Sequence, residues 1–307
     1  MINLFNINHY TVDTSIFDNV LNGTIVKRFE KEFSEYVGAK HACGVNSATN
    51  AIFLSLLNKN EIIKIPSIIP PVVLNAIILS GNEILFEDNI NWVGDSYIIH
   101  NFKEYKVIDS AQKVERDQFK NEANPEDIMI FSFYPTKPVG SIDGGMIVSD
   151  DKDKIEWFQK AVLNGTSRSQ DSWQRKIHFP GWKSYLNSCQ AKIALENLKK
   201  LDNKNLRLSE IRDYYNSSLG FSNTSSHLYR ISSTNRDVFI SEMKARGIVC
   251  GIHYSAMHLN DVYCQNNISL PESERVSEQT VSIPFHEMLT DSQVEYIVKS
   301  CKKALLV

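Results

Sequence analysis

The chain has 307 residues, 42% apolar and 22% charged, with a formal charge of -3 and a sequence pI near 6.3. This composition excludes a disordered or fibrous protein, and the length allows one large domain or two modest ones whose core needs no metal or disulfide staple. No basic surplus points to nucleic acid and no acidic tail to a solvating segment.

Taken in chain order, Val26, Phe29, Phe33, Tyr36 and Val37 recur at helical spacing, and Gly38 closes that helix. A strand-like run, His41–Val45, leads through Asn46-Ser-Ala-Thr-Asn into a second helix over Ala51–Leu57. Ile62–Pro66 reads as a strand and Val72–Leu79 as a helix. This longest apolar stretch is interrupted by Lys64, Pro66, Pro70, Pro71 and Asn75, so it does not span a bilayer. Tyr97–Ile99, Val107–Asp109 and Ile128–Phe133 read as buried strands of a parallel sheet, followed by a strand over Gly145–Ser149 and a helix over Lys152–Leu163. Asn164–Ser184 is a long polar loop with Trp173 and Trp182, of the length that usually serves a function. Helical pattern resumes from Leu186 to about Ser218 with an expected break at Asp202-Asn203. The tail reads as strand His227–Ser232, helix Asn235–Gly247, strand Val249–Tyr254, a turn-rich loop and a last helix, Asp291–Leu306. Residues 1–200 are expected to form a large domain and 201–307 a smaller one.

The start, MINLFNINHY, lacks the basic and apolar regions of a secretory signal, and the five cysteines are scattered without a C-x-x-C. Both features fit reduced thiols in a cytoplasmic protein. His253 and His258 lie five apart with no third ligand in view, so no metal is expected. Dinucleotide, Walker, nucleophile-elbow and zincin fingerprints are missing.

Three other features carry chemistry. In Val107-Ile-Asp-Ser-Ala-Gln112 an apolar strand ends in Asp109, with the Gln112 amide three residues on. Ligands of open α/β sheets bind at such strand ends, although Asp109 could equally cap a turn. In Phe131-Ser-Phe-Tyr-Pro-Thr-Lys137-Pro-Val-Gly140 a lysine sits in a loop stiffened by prolines just past a strand, with Ser132 five positions before it. Third, Asn46-Ser-Ala-Thr49 precedes a helix, where N–H groups and hydroxyls can hold an anion or simply cap the helix. The order of the three resembles that of a pyridoxal-phosphate enzyme of fold type I. The phosphate needs hydroxyl and N–H donors, the pyridine nitrogen a carboxylate, and the aldehyde a lysine for a Schiff base.

FSFYPTKPVG with the following DGGM, VIDSAQ, VKRFEKEFSEY with VGAKHACGVNSATNAIFLSLL, FPGWKSYLNSCQAKIALENLKKLD, RGIVCGIHYSAMHL and VSIPFHEMLTDSQVEYIV together resemble the DegT/DnrJ/EryC1/StrS family of nucleotide-sugar aminotransferases. The resemblance implies an α/β large domain with a mostly parallel sheet flanked by helices, plus a smaller C-terminal α/β domain. It implies pyridoxal 5'-phosphate bound through Lys137, with Asp109 on the ring nitrogen and Gln112 on the phenolic oxygen. Ser132, Thr49 and the backbone about Ala48 are implied to hold the phosphate. Lys183 falls where a neighbouring subunit reaches that phosphate, which implies a homodimer with its sites at the interface. The implied reaction moves an amino group from glutamate, leaving 2-oxoglutarate, to a nucleotide-linked 4-keto-6-deoxyhexose for O-antigen or similar glycans, at C-4 in preference to C-3. Lys137 counts against a dehydratase, whose relatives carry histidine there. Arg168, Arg175 and Lys176 are candidates for the nucleotide diphosphate, against a reading as solvated loop charges.

Departures from the family pattern accompany the likeness. Ala48 replaces a usual glycine, Val114 a frequent histidine, and a ring-stacking aromatic is missing near Ile69-Pro70. The chain is trimmed between Phe86 and Val107 and again between Gln112 and Ile128. That trimming leaves open a non-catalytic, regulatory relative.

Overall fold

The fold was examined in a computed structural model that describes residues 1–167, 174–264 and 268–306. Helix α1 (Thr24–Val37) buries Val26, Phe29, Phe33 and Val37, the stripe seen in the sequence, and ends where Gly38 takes φ +80°. The other early elements are β1 (His41–Val45), α2 (Ala48–Ser55), β2 (Ile62–Pro66), α3 (Pro71–Leu79) and β3 (Glu83–Glu87). The middle of the chain holds β4 (Tyr97–Asn101), β5 (Lys106–Asp109), α4 (Gln118–Glu122), β6 (Ile128–Ser132), β7 (Gly145–Ser149) and α5 (Lys152–Ala161). The final part holds α6 (Ser188–Leu198), α7 (Leu201–Leu219), β8 (Tyr229–Ser232), α8 (Arg236–Ala245), α9 (Pro271–Gln279), β9 (Thr280–Ile283) and α10 (Asp291–Ala304).

The α/β fold is the expected one. Its central sheet, in order β1-β7-β6-β5-β4, is mixed. β5 and β6 are parallel, whereas β1–β7, β6–β7 and β4–β5 are antiparallel, and β2–β3 form a separate parallel pair. The sheet is covered on both faces, which is why its strands read as unbroken apolar runs. Alternation sends Ile128 and Ile130 into one core with Val45, Ile63 and Ile147. It sends Met129 and Phe131 into a second core with α1 and α6. A third core gathers Leu208, Ile211, Phe239 and Ile297 around β8 and β9.

Several expectations need correction. Val249–Tyr254 is not a strand. Val249 N–H donates to Ile2, Gly251 makes a single bridge to Ser282, and the chain then turns inward through a cis His253–Tyr254 peptide. The break between α6 and α7 falls at Lys199-Lys200, before the expected Asp202-Asn203. The expected turn-rich loop contains α9 and β9. PESERVSEQ buries only Ser273 completely, so it lacks an apolar stripe, and its start is marked by Pro271 with Glu272 and Glu274 in the first turn. β3 and α4 were also missed; each is five residues long with charged ends or faces.

Candidate active site

A cavity of about 620 Å³ opens at the carboxyl ends of β5 and β6. Ala48, Thr49, Asp109, Gln112, Ser132 and Lys137 all line it. These residues span ninety positions of sequence but meet because β1–α2, β5 and β6 finish on the same edge of the layered fold.

One end of the cavity is an anion cradle. Ser47 caps α2, its hydroxyl accepting from Asn50 N–H at 3.2 Å, and leaves the N–H groups of the first turn directed outward. Thr49 and Ser132 add hydroxyls on the same wall. Gly145 makes this approach possible. A Cβ there would stand 2.8 Å from Ala48 N and 2.9 Å from Phe131 O, backbone on both sides, so any side chain would push α2 off the sheet. Ala48 stands where the resemblance gives a glycine, and its backbone packs against Gly145.

Lys137 stands on a tight loop after β6. Its own N–H donates to Tyr134 O at 2.8 Å, Ser141 N–H returns to Phe133 O, and Gly140 lies where a Cβ would meet Pro135 O at 2.4 Å. Neighbouring helices hold the loop from outside. Asn197 on α6 donates to Gly140 O, and Lys204 on α7 donates to Pro138 O at 3.0 Å. Burial lowers the proton affinity of the Lys137 amine to a pKa of about 8, with the Asp109 carboxylate partly opposing the change. The neutral amine is the form that attacks an aldehyde. Loading of pyridoxal phosphate onto cofactor-free protein should therefore accelerate as pH rises through about 8 and level off above it. Stopped-flow absorbance measures this, and a rate still climbing at pH 10, as an ordinary lysine would give, contradicts the environment described.

Asp109 is buried at the end of β5. Burial raises its pKa, against which Ala111 N–H donates at 2.8 Å and Tyr97 O–H at 2.9 Å, and Lys137 adds a favourable charge. Gln112 is also buried. Its oxygen accepts from Gly94 N–H at 2.8 Å, and its amide nitrogen donates to Tyr254 O–H at 3.1 Å. Lys183 is different: it is exposed, bridged to Leu163, and does not line the cavity of its own chain. Arg175 and Lys176 do not line it either, and Arg168 and Trp173 lie outside the described residues.

The sequence reading missed several cavity residues. Trp92 lines it with its indole N–H on Ile68 O at 2.9 Å, and lies parallel to Tyr254 at 6.2 Å between ring centres. Tyr97 was read only as a strand residue. His227 stacks on Phe5 at 5.7 Å. Burial lowers the proton affinity of His227 and holds His253 near a pKa of about 4, so both rings are neutral at pH 7. His258 belongs elsewhere, buried between Ser67 at 2.6 Å and Glu274 at 3.3 Å. Among the described residues no group of three His, Cys, Asp or Glu side chains is placed to hold a metal, and no helix is long and apolar enough to cross a membrane.

The residues fit pyridoxal phosphate. Hydroxyls and a helix start face one end, a buried carboxylate with two donors of its own stands on the floor, and one amine of lowered basicity shares the space. Trp92 and Tyr254 add aromatic rings to the cavity lining.

The sequence matches the DegT/DnrJ/EryC1/StrS aminotransferase family over residues 8–88 and 109–302. A UDP-4-amino-4,6-dideoxy-N-acetyl-beta-L-altrosamine transaminase of Campylobacter jejuni is 24% identical, covering 95% of this chain and 94% of the relative. The aminotransferase TlmJ of Streptoalloteichus hindustanus superposes with a TM-score of 0.83 at 22% identity, over 100% of this chain and 99% of its own. Spr1654 of Streptococcus pneumoniae, in its pyridoxal-phosphate form, superposes with a TM-score of 0.79 at 20% identity, over 98% of each chain.

Proposed function

The chain belongs to the DegT/DnrJ/EryC1/StrS aminotransferase family, and from that premise we propose that it moves an amino group from glutamate to C-4 of a nucleotide-linked 4-keto-6-deoxyhexose. Glutamate leaves as 2-oxoglutarate, and the ketone oxygen of the sugar is replaced by the amine. Pyridoxal phosphate is the cofactor of this family. When bound it supplies an electron sink for the carbon that loses its proton.

The observation that carries the reading is the placement of Lys137 and Asp109 on one cavity with the start of α2. Lys137 Nζ in its neutral form, a larger share because burial lowers the pKa to about 8, takes a proton from the carbon bearing the amine and returns it on the other side of the exchange. The Asp109 carboxylate, steadied by Ala111 and Tyr97, favours a protonated ring nitrogen. Ser47, Thr49, Ser132 and the first N–H groups of α2 hold the phosphate. A binding or regulatory relative would have no use for an amine of lowered basicity here, so the trimmed large domain does not favour that alternative.

The C-4 position is supported by the name of the Campylobacter jejuni relative, which places an amine at C-4 of a 4,6-dideoxy UDP-sugar. The working unit is taken to be a homodimer. Among the described residues Lys137 is the one lysine on the cavity and no arginine lines it, which makes a second copy the proposed source of further cations for the anionic substrates. Exposed Lys183 is free to answer that need in a second copy, and Val72, Tyr134 and Ile142 leave an apolar surface around the site for it to cover. The test is amine transfer from glutamate to a panel of UDP-, dTDP- and GDP-linked 4-keto and 3-keto 6-deoxyhexoses, followed by 2-oxoglutarate release and product NMR. Amination at C-4 is expected. Product only from 3-ketosugars, or from none with the cofactor loaded, overturns it.

A further inference from the structure

The family match skips residues 89–108, and the expected trimming falls there. What the chain builds in this gap follows from its length. β4 ends at Asn101 and β5 starts at Lys106, so residues 102–105 are all that joins them. A parallel neighbour needs a crossover of about a dozen residues or more, whereas this connection permits only a hairpin. β4 therefore lies antiparallel to β5, and the register sets Tyr97 directly opposite Asp109. Its hydroxyl reaches Asp109 Oδ2 at 2.9 Å inside the fold.

The segment leading into this strand is anchored at each step. Trp92 donates to Ile68 O, Gly94 N–H donates to Gln112, and Asp95 pairs with Lys113 at 2.9 Å. Ser96 O–H donates to Glu122 at 2.5 Å. Gly94 takes φ +96° against Ser225, where a Cβ would stand 2.5 Å from Oγ, so this wall is fitted to its surroundings.

We infer that Tyr97 is a positioning residue: its hydroxyl fixes the Asp109 carboxylate to face the cofactor's ring nitrogen, a duty the shortened segment creates through its hairpin register. The inference rests on the pyridoxal-phosphate reading of the cavity. The phenol supplies one of two donors to a carboxylate that has lost its water. With it removed, Oδ2 keeps no protein donor among the described residues, and the carboxylate becomes both more basic and freer to rotate. Hydrogen bonds to charged groups have a net worth that corresponds to roughly tenfold to a hundredfold in an equilibrium constant.

The test is a double-mutant cycle read by cofactor binding and by pH titration of the visible absorbance band. Tyr97→Phe keeps the ring and its packing. It is expected to weaken pyridoxal phosphate binding about tenfold or more and to move the pH midpoint of the band. In an Asp109→Asn background the same substitution is expected to add less than about twofold, because the carboxylate it acts through is gone. A tyrosine that only fills space would leave the midpoint in place, or would cost the same in both backgrounds, and either result overturns the inference. Absence of a visible band in the unmutated protein overturns the cofactor reading itself. A normal band in the unmutated protein with Tyr97→Phe unchanged overturns the role of Tyr97 alone.

Discussion

Replacing Lys137 with alanine should abolish measurable amine transfer while leaving a folded protein that still takes up the cofactor. Two contributions disappear together: the covalent hold on the aldehyde and the proton carrier. Proton transfer by a positioned side chain contributes on the order of 10²–10⁴-fold, and no other cavity group replaces it. His227 and His253 are neutral rings nearby, but His253 is already hydrogen-bonded with Ser282 and His227 is stacked on Phe5. The proposed phosphate cradle is untouched, because Ser47 and Thr49 come from the start of α2 and Ser132 from β6, not from the lysine loop. Equilibrium dialysis should therefore still find cofactor bound, and a coupled assay for 2-oxoglutarate should find no turnover. Residual transfer within about tenfold of the unmutated enzyme would show that Lys137 is not the proton carrier.

Asp109→Asn should lower turnover by about 10²–10³-fold, the scale found when a group facing charge in the transition state is lost. The amide has the same shape: its oxygen can take the Oδ1 place and keep Ala111 N–H, while its NH2 group then stands where Oδ2 was and can donate to the Tyr97 oxygen. It lacks the charge that keeps a ring nitrogen protonated, so the loss should fall on kcat rather than on KM. Steady-state kinetics with glutamate and a ketosugar separate the two. An unchanged kcat would mean that this carboxylate serves only to cap the end of β5, the alternative its sequence position leaves open.

Asp109, Gln112, Ser132, Lys137, Ala48 and Thr49 were legible as cavity residues because each follows a strand end or opens a helix, and those places are set by short, local signals. The apolar runs at Ile128–Ser132 and Gly145–Ser149 similarly announced a sheet buried on both faces. Strand direction was less accessible. Hydrophobic runs carry no sign of parallel or antiparallel pairing, which depends on how far the connection must travel, and here residues 102–105 between β4 and β5 permit only a hairpin. Trp92 and Tyr97 were illegible for the same reason. Their chemistry comes from a register between β4 and β5, and a shift of one residue would turn Tyr97 to the opposite face.

The approach of Tyr254 to the cavity depends on a bend. After the bridge at Gly251 the chain leaves the strand path and carries His253 and Tyr254 to the cavity. The extended pattern of Val249–Tyr254 concealed that turn. Lys183 illustrates the opposite limit: its position in one chain is plain, and its proposed partner lies across a subunit boundary.

Lys137 and Asp109 are proposed to serve the two ends of one pyridoxal phosphate. Reduction of the loaded enzyme with borohydride, followed by proteolysis and mass spectrometry, tests it most directly. A single peptide carrying the reduced cofactor on Lys137 is expected, with loss of the visible band. Attachment at any other lysine, or a visible band that borohydride bleaches without marking Lys137, would contradict it.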